Sequence, residues 1–262
     1  MQSAYDEIYQ LLTDLRSEVQ SILSEHFIGM YLYGSLALGN FDPLKSDVDF
    51  LIVTAGELTE EELRALQAMH LRIASGSSKW AKELECSYIP MEALRRYDPS
   101  AARHPHLDRG SGDLRVEQHD SDWVVQRYSL LNYGVRLAGP DLKPLIDPIS
   151  PQELRQGVLD LIWWWEEQLK DTSRVEQSGY QAYAILSMCR ILYTLEHGTI
   201  ASKPVAARWA QRELGERWWG LIERALTWQP NEPMERLQET LEFIRYTIGE
   251  REIQSKKGSN YI

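Results

Sequence analysis

Tyr31-Leu-Tyr-Gly-Ser-Leu-Ala-Leu-Gly39, followed after a short loop by Ser46-Asp-Val-Asp-Phe-Leu-Ile-Val53, is the stretch that decides how this chain is read. The apolar run Ile28–Tyr33 meets Gly34-Ser35 and then the small-residue segment Leu36–Gly39, the pattern of a strand entering a helix start. A helix start leaves backbone N–H groups without intrahelical partners, and these suit phosphate oxygens. Glycine lets a ligand approach the backbone closely. Asp47–Thr54 reads as a second strand, with Val48, Phe50 and Ile52 on one face. Asp47 and Asp49 are two residues apart, so they share a face. Beside a phosphate turn they suit Mg²⁺, which prefers carboxylate and phosphate oxygens. Asp49 also precedes Phe-Leu-Ile-Val, where a strand should be buried, and an ionised group there is costly without a partner. Gly-Ser turns and Asp-x-Asp pairs are each common alone. Their combination across the loop from Gly39 to Asp47 carries the chemistry.

Working outward, residues 4–24 place Tyr5, Ile8, Leu12, Leu15, Val19 and Leu23 on one helical face. Thr59-Glu-Glu-Glu62 has the form of a capping box and opens a helix carrying Leu63, Leu66, Met69 and Ile73 inward. Leu84–Ile89 reads as a third strand. Arg95–Gln118, rich in Pro, Gly, His and Arg, reads as a long loop. His104, His106 and His119 have no closed metal-site spacing and read as solvated loop or substrate contacts. Asp122–Leu137 is expected to be helical, and Asp147-Pro-Ile-Ser-Pro151 to link two domains, 1–148 and 149–262. Beyond it, helices are expected near 151–169, 178–197, 203–214, 216–228 and 233–250. Trp163-Trp164-Trp165 is expected to pack between helices or against the first domain. The fold class is α+β: an α/β-type N-terminal domain with a small mixed sheet, then an all-α helical bundle.

The net charge of −11 argues against a nucleic-acid partner, whose backbone demands clustered Lys and Arg. No apolar stretch approaches the length of a membrane span, and the N-terminus lacks the charged start and apolar run of a signal peptide. Cys86 and Cys189 lie in apolar segments and are expected to be buried free thiols. A cytoplasmic protein, monomeric or weakly dimeric, is the expectation.

The Gly-Ser and Asp-x-Asp arrangement resembles the nucleotidyltransferase superfamily, which adds a third carboxylate from a neighbouring strand. Here that is Glu85 in Glu83-Leu-Glu-Cys-Ser-Tyr-Ile89, with Glu83, of the same parity, as its rival. Over nearly the whole chain the sequence resembles the bacterial aminoglycoside nucleotidyltransferases that adenylate streptomycin and spectinomycin. Cys189-Arg-Ile-Leu-Tyr193, Gly198-Thr-Ile-Ala-Ser-Lys-Pro204 and Ala206-Ala-Arg-Trp209 carry the match in the second half. The resemblance implies ATP as co-substrate, Mg²⁺ on Asp47, Asp49 and Glu85, and Glu85 as catalytic base. It places Gly34 and Ser35 at the phosphates, and nucleotide contacts on Lys203, Tyr246 and Asp122, in a cleft between the domains. The other partner is a small molecule with an acceptor hydroxyl. Acceptor contacts fall on Glu176, Tyr180 and Tyr183. Tyr180 stands where the family has an aspartate and Tyr183 where it has a histidine, so streptomycin is not the expected acceptor.

Three other functions compete, of which a nucleotide polymerase or tRNA-modifying relative is disfavoured by the −11 charge. A nucleotidyltransferase that modifies a partner protein, of the antitoxin type, would rarely carry so long a helical half. A nucleotide-binding module without catalysis would have little need of all three carboxylates.

Overall fold

The computed structural model describes residues 2–258, with side chains through residue 250, and the chain divides into two compact units, Met1–Pro148 and Ile149–Ile262. The first contains α1 (Gln2–Leu23), β1 (Phe27–Leu32), α2 (Gly34–Ala37), β2 (Val48–Thr54), α3 (Glu60–Ala74) and β3 (Leu84–Pro90). After these come α4 (Met91–Arg95), β4 (Arg103–Leu107), β5 (Leu114–Gln118), α5 (Asp122–Tyr133) and β6 (Val135–Ala138). The strands form one six-stranded sheet in the order β5-β4-β3-β2-β1-β6. Only β2 and β3 are parallel, so the sheet is mixed.

Helices cover both faces of this sheet, which is why β2 reads as a continuous apolar run after Asp49. Val48, Phe50 and Ile52 pack with Ile8, Leu12, Leu15 and Val19 of α1 and with Leu66 and Met69 of α3. Leu51 and Val53 face the other way, toward Leu94 of α4 and Trp123 and Leu130 of α5. The expected capping box of α3 is formed: Thr59 accepts from the Glu62 amide, and Glu62 accepts from the Thr59 amide.

Two expectations are corrected here. The segment 95–118 is no long loop: β4 and β5 form a hairpin paired from Arg103↔Gln118 to Leu107↔Leu114, turning through Gly110 and Gly112 at positive φ. Pro and His hide the strand pattern. Buried His104 takes an inward position where an apolar residue would be expected, and Pro105 lies outside the short ladder Cys86↔Leu107, Ser87↔His106. The helix expected to reach Leu137 ends at Tyr133. A Cβ on Gly134 would meet the Leu130 carbonyl at 2.4 Å, and Val135–Ala138 then pairs with β1.

The second unit contains α6 (Pro151–Gln168), α7 (Ser178–His197), α8 (Lys203–Glu213), α9 (Glu216–Thr227) and α10 (Leu237–Gly258). Helix α7 is its axis, packing against α6, α8, α9 and α10 through Ala184, Ile185, Met188 and Cys189. Gly198 ends it in the left-handed conformation that glycine adopts freely. Helix α10 begins later than expected because the segment before it is irregular, with Asn231 and Glu235 at positive φ, and Arg236 N donates to the Gln181 side chain. Of the three consecutive tryptophans only Trp165 is buried; Trp163 and Trp164 are 57% and 38% exposed. Cys86 and Cys189 are buried free thiols.

Candidate active site

The parallel register of β2 and β3 sets Asp49 directly beside Glu85. Strand alternation puts both side chains on the α5 side of the sheet, with Asp47 one step before on the same side. Carboxylate oxygens of Asp47, Asp49 and Glu85 all lie within 4.8 Å of one another, each residue half-buried. Like charges this close repel, and a divalent cation with oxygen preference is what such a group suits. Glu83 sits at the strand entry instead, where its carboxylate is in an ion pair with Arg109.

Gly34 opens this site from β1. Its φ is +64°, and a Cβ there would stand 1.9 Å from Asp49 Oδ2. Glycine is thus required twice, for the backbone conformation and for the carboxylate's room. Ser35, the next residue, has a buried hydroxyl oxygen with no hydrogen-bond partner among the described residues. A buried unpaired hydroxyl is costly, so this one is poised for a ligand oxygen.

Sequence reasoning missed Tyr33. Its buried hydroxyl donates to Gln126 Oε1 at 3.4 Å, and Gln126 donates in turn to Asp122 Oδ2 at 2.9 Å. Burial pushes the Tyr33 phenol well up, and the charges of Asp49, Glu85 and Asp122 push the same way. The Asp122 carboxyl is itself raised, by burial and then by Asp120. Asp122 is thus linked to Tyr33 through Gln126.

The three histidines are not a solvated loop. His106 Nδ1 lies 2.9 Å from Ser87 Oγ, and Ser87 follows Glu85 by two along β3. His119 packs against Trp123 with ring centroids 5.2 Å apart and against His104 at 5.6 Å. Burial, then the neighbouring His106 and His104, lower the His119 pKa to about 4. His104, its pKa likewise lowered by burial, and His119 belong to the core, while His106 is half-buried.

In the helical unit, Tyr180, Tyr183 and Trp165 form an aromatic cluster with centroids 5.5 to 6.2 Å apart. Lys203 is the first residue of α8, and its Nζ lies 5.2 Å from the Tyr183 ring centroid, within cation–π range. Glu176 is exposed nearby in sequence, accepting weakly from Thr172 Oγ1 at 3.4 Å. Tyr246 is not brought to Lys203. It borders a cavity with His197, Trp209 and Glu213, at the far end of α7. At 1.5 Å per residue, Tyr183 and His197 are roughly 21 Å apart along that helix.

Two family models match this chain: a nucleotidyltransferase domain over residues 12–103, and the C-terminal domain of aminoglycoside adenylyltransferases over residues 144–257. Its first half thus carries a nucleotidyltransferase domain, and its second half the C-terminal domain of aminoglycoside adenylyltransferases. An aminoglycoside (3'') (9) adenylyltransferase from Klebsiella pneumoniae is 25% identical over 249 residues, covering 89% of this chain and 92% of that protein. A spectinomycin 9-adenylyltransferase from Enterococcus faecalis is 23% identical, covering 79% of this chain and 81% of its own length. Among solved structures, an Enterococcus spectinomycin adenylyltransferase crystallised with ATP and spectinomycin aligns with a TM-score of 0.73. Its identity is 19%, over 94% of this chain and 99% of that one, so it bears on the fold. The protein is an enzyme of the nucleotidyl-transfer class. No helix among its described residues is long and apolar enough to cross a membrane.

Proposed function

We propose that the protein transfers AMP from Mg²⁺-bound ATP to a hydroxyl of an aminoglycoside-like antibiotic. The observation that carries this reading is the Asp47–Asp49–Glu85 triad, its oxygens within 4.8 Å, with Gly34 against Asp49. Asp47, Asp49 and Glu85 would hold the metal. When bound, Mg²⁺ offsets negative charge on the phosphates and on the leaving pyrophosphate. Glu85 also takes the proton of the acceptor hydroxyl, whose oxygen forms a bond to the α-phosphorus as the bond to pyrophosphate breaks. Ser35 and the Gly34 turn receive phosphate oxygens. Asp122, linked to Tyr33 through Gln126, contacts substrate from the site's border. In the helical unit, Lys203 supplies a cation for the nucleotide. Tyr246, set apart from Lys203, has no part in this proposal.

Glu176, Tyr180 and Tyr183 meet the acceptor. Tyr180 removes the carboxylate that would pair a guanidinium or ammonium group, so streptomycin is a poor acceptor. The proposal further takes the enzyme to be cytoplasmic, monomeric or weakly dimeric, and without a nucleic-acid or membrane partner, in keeping with its net charge of −11. The test is to incubate the protein with each nucleoside triphosphate, Mg²⁺ and an aminoglycoside panel including spectinomycin and streptomycin. Acceptor-dependent pyrophosphate, and a drug heavier by one nucleoside monophosphate, are expected with ATP and not with streptomycin. No acceptor-dependent pyrophosphate from any triphosphate would overturn the proposal.

A further inference from the structure

We propose that the cavity between the C-terminal ends of α7 and α8 and the flank of α10 binds an organic ammonium ion with an apolar body. The cavity measures about 380 Å³, within the range of small-molecule sites. Three carboxylates border it, one from each helix: Glu196, Glu213 and Glu250. Among the described side chains no lysine or arginine lines it, and His197 is the sole basic one that does. Two neighbouring guanidinium groups are occupied. Arg155 donates to the Leu195 and Glu196 carbonyls, while Arg217 lies over the Trp218 ring and 3.8 Å from Glu242. The sign of the ligand is therefore positive, and a triphosphate would be repelled.

Its size and character follow from the rest of the lining. Among the described residues the only carboxylate group tight enough for a metal ion is Asp47, Asp49 and Glu85, so these three glutamates do not converge on one small ion. They stand around a cavity whose walls are the Trp209 and Tyr246 rings and the buried Leu192 and Leu195. The Trp209 ring is held edge-on to His197 and Tyr193, with centroids 5.4 and 5.5 Å away. A fixed aromatic wall beside carboxylates is the chemistry that takes an ammonium head with an apolar tail. The inference does not depend on the proposed transfer chemistry.

Calorimetric titration of the full chain with phenethylammonium chloride tests the inference, with neutral 2-phenylethanol and potassium chloride as controls. Saturable binding is expected for the ammonium ion, and binding at least tenfold weaker for the alcohol. The Glu196→Gln/Glu213→Gln double variant should lose affinity about tenfold or more, while Asp49→Asn should bind as wild type does. As an independent measurement, the ¹⁹F resonance of 5-fluorotryptophan at position 209 should shift on titration, assigned with Trp209→Phe. The inference is overturned by equal affinity for the alcohol or no saturable ammonium binding. Undiminished affinity in the double variant, loss of binding in Asp49→Asn, or an unmoved Trp209 resonance would overturn it equally.

Discussion

The sheet face and the helical unit treat their chemistry-bearing residues differently. On the sheet, Gly34, Asp47, Asp49 and Glu85 come from three neighbouring strands or strand ends, yet their atoms crowd into a few ångströms. In the helical unit, Lys203 and Tyr246 were expected to serve one nucleotide, yet they stand at opposite ends of α7. Strand pairing transmits position through register, so a two-residue spacing and one parallel pairing fix where a carboxylate lands. Helices transmit it through packing and loop paths, which spacing along the chain does not encode.

The largest effect is expected where register alone makes the choice. Glu85→Gln removes a proton acceptor beside Asp49 and should lower turnover about 10²–10⁴-fold. Glu83→Gln disturbs only the Arg109 ion pair and should leave turnover nearly intact. A dead Glu83→Gln enzyme beside a healthy Glu85→Gln enzyme would break the comparison at its root.

Gly34→Ala comes next. It forces a Cβ onto the Asp49 carboxylate and adds roughly 1–2 kcal/mol of left-handed backbone strain. Activity should drop at least tenfold, with the melting transition retained because both sheet faces remain packed. Unchanged activity would mean that the Gly34 turn is not part of the site.

The helical side is sharpened by a pair of variants. Lys203→Ala should weaken ATP binding by about 1–3 kcal/mol, the range for a lost charged hydrogen bond. Tyr246→Phe should leave ATP affinity unchanged, since that ring belongs to a separate cavity. Calorimetry with a non-hydrolysable ATP analogue checks both, and a reversed outcome would return Tyr246 to the nucleotide.

The smallest effect is on stability. His119 is held neutral, its pKa lowered from 6.5 to about 4, and His70 likewise by burial. A depressed histidine pKa contributes stability that is complete above about pH 6.5 and lost as pH falls toward 4. Asp122, raised by burial, works in the opposite sense. Tm should therefore fall between pH 7 and pH 5, and a His119→Phe protein that keeps its fold should lose less over that interval. An equal loss in both proteins would remove His119 from the account.

Legibility followed the same division. The Thr59–Glu62 capping box, β2 and β3 were readable because local spacing determines them. The β4–β5 hairpin was hidden because buried His104, its pKa lowered by burial, and Pro105 stand where an alternation of apolar residues would mark a strand. Nothing in the linear spacing marked the Tyr33–Gln126–Asp122 chain, which joins β1's end to α5 only once the sheet is formed. Gly34 was legible as a turn residue, but its contact with Asp49 required coordinates.

Metal binding at the triad is the claim on which the proposed transfer depends, and Mn²⁺, an EPR-visible substitute for Mg²⁺, tests it most directly. Titrated in the presence of a non-hydrolysable ATP analogue, the wild-type protein should deplete the free Mn²⁺ signal with saturation. Asp49→Asn, folded by circular dichroism, should deplete it no more than the nucleotide analogue alone does. Wild-type Mn²⁺ binding in Asp49→Asn would contradict the assignment of Asp47, Asp49 and Glu85 as the metal site.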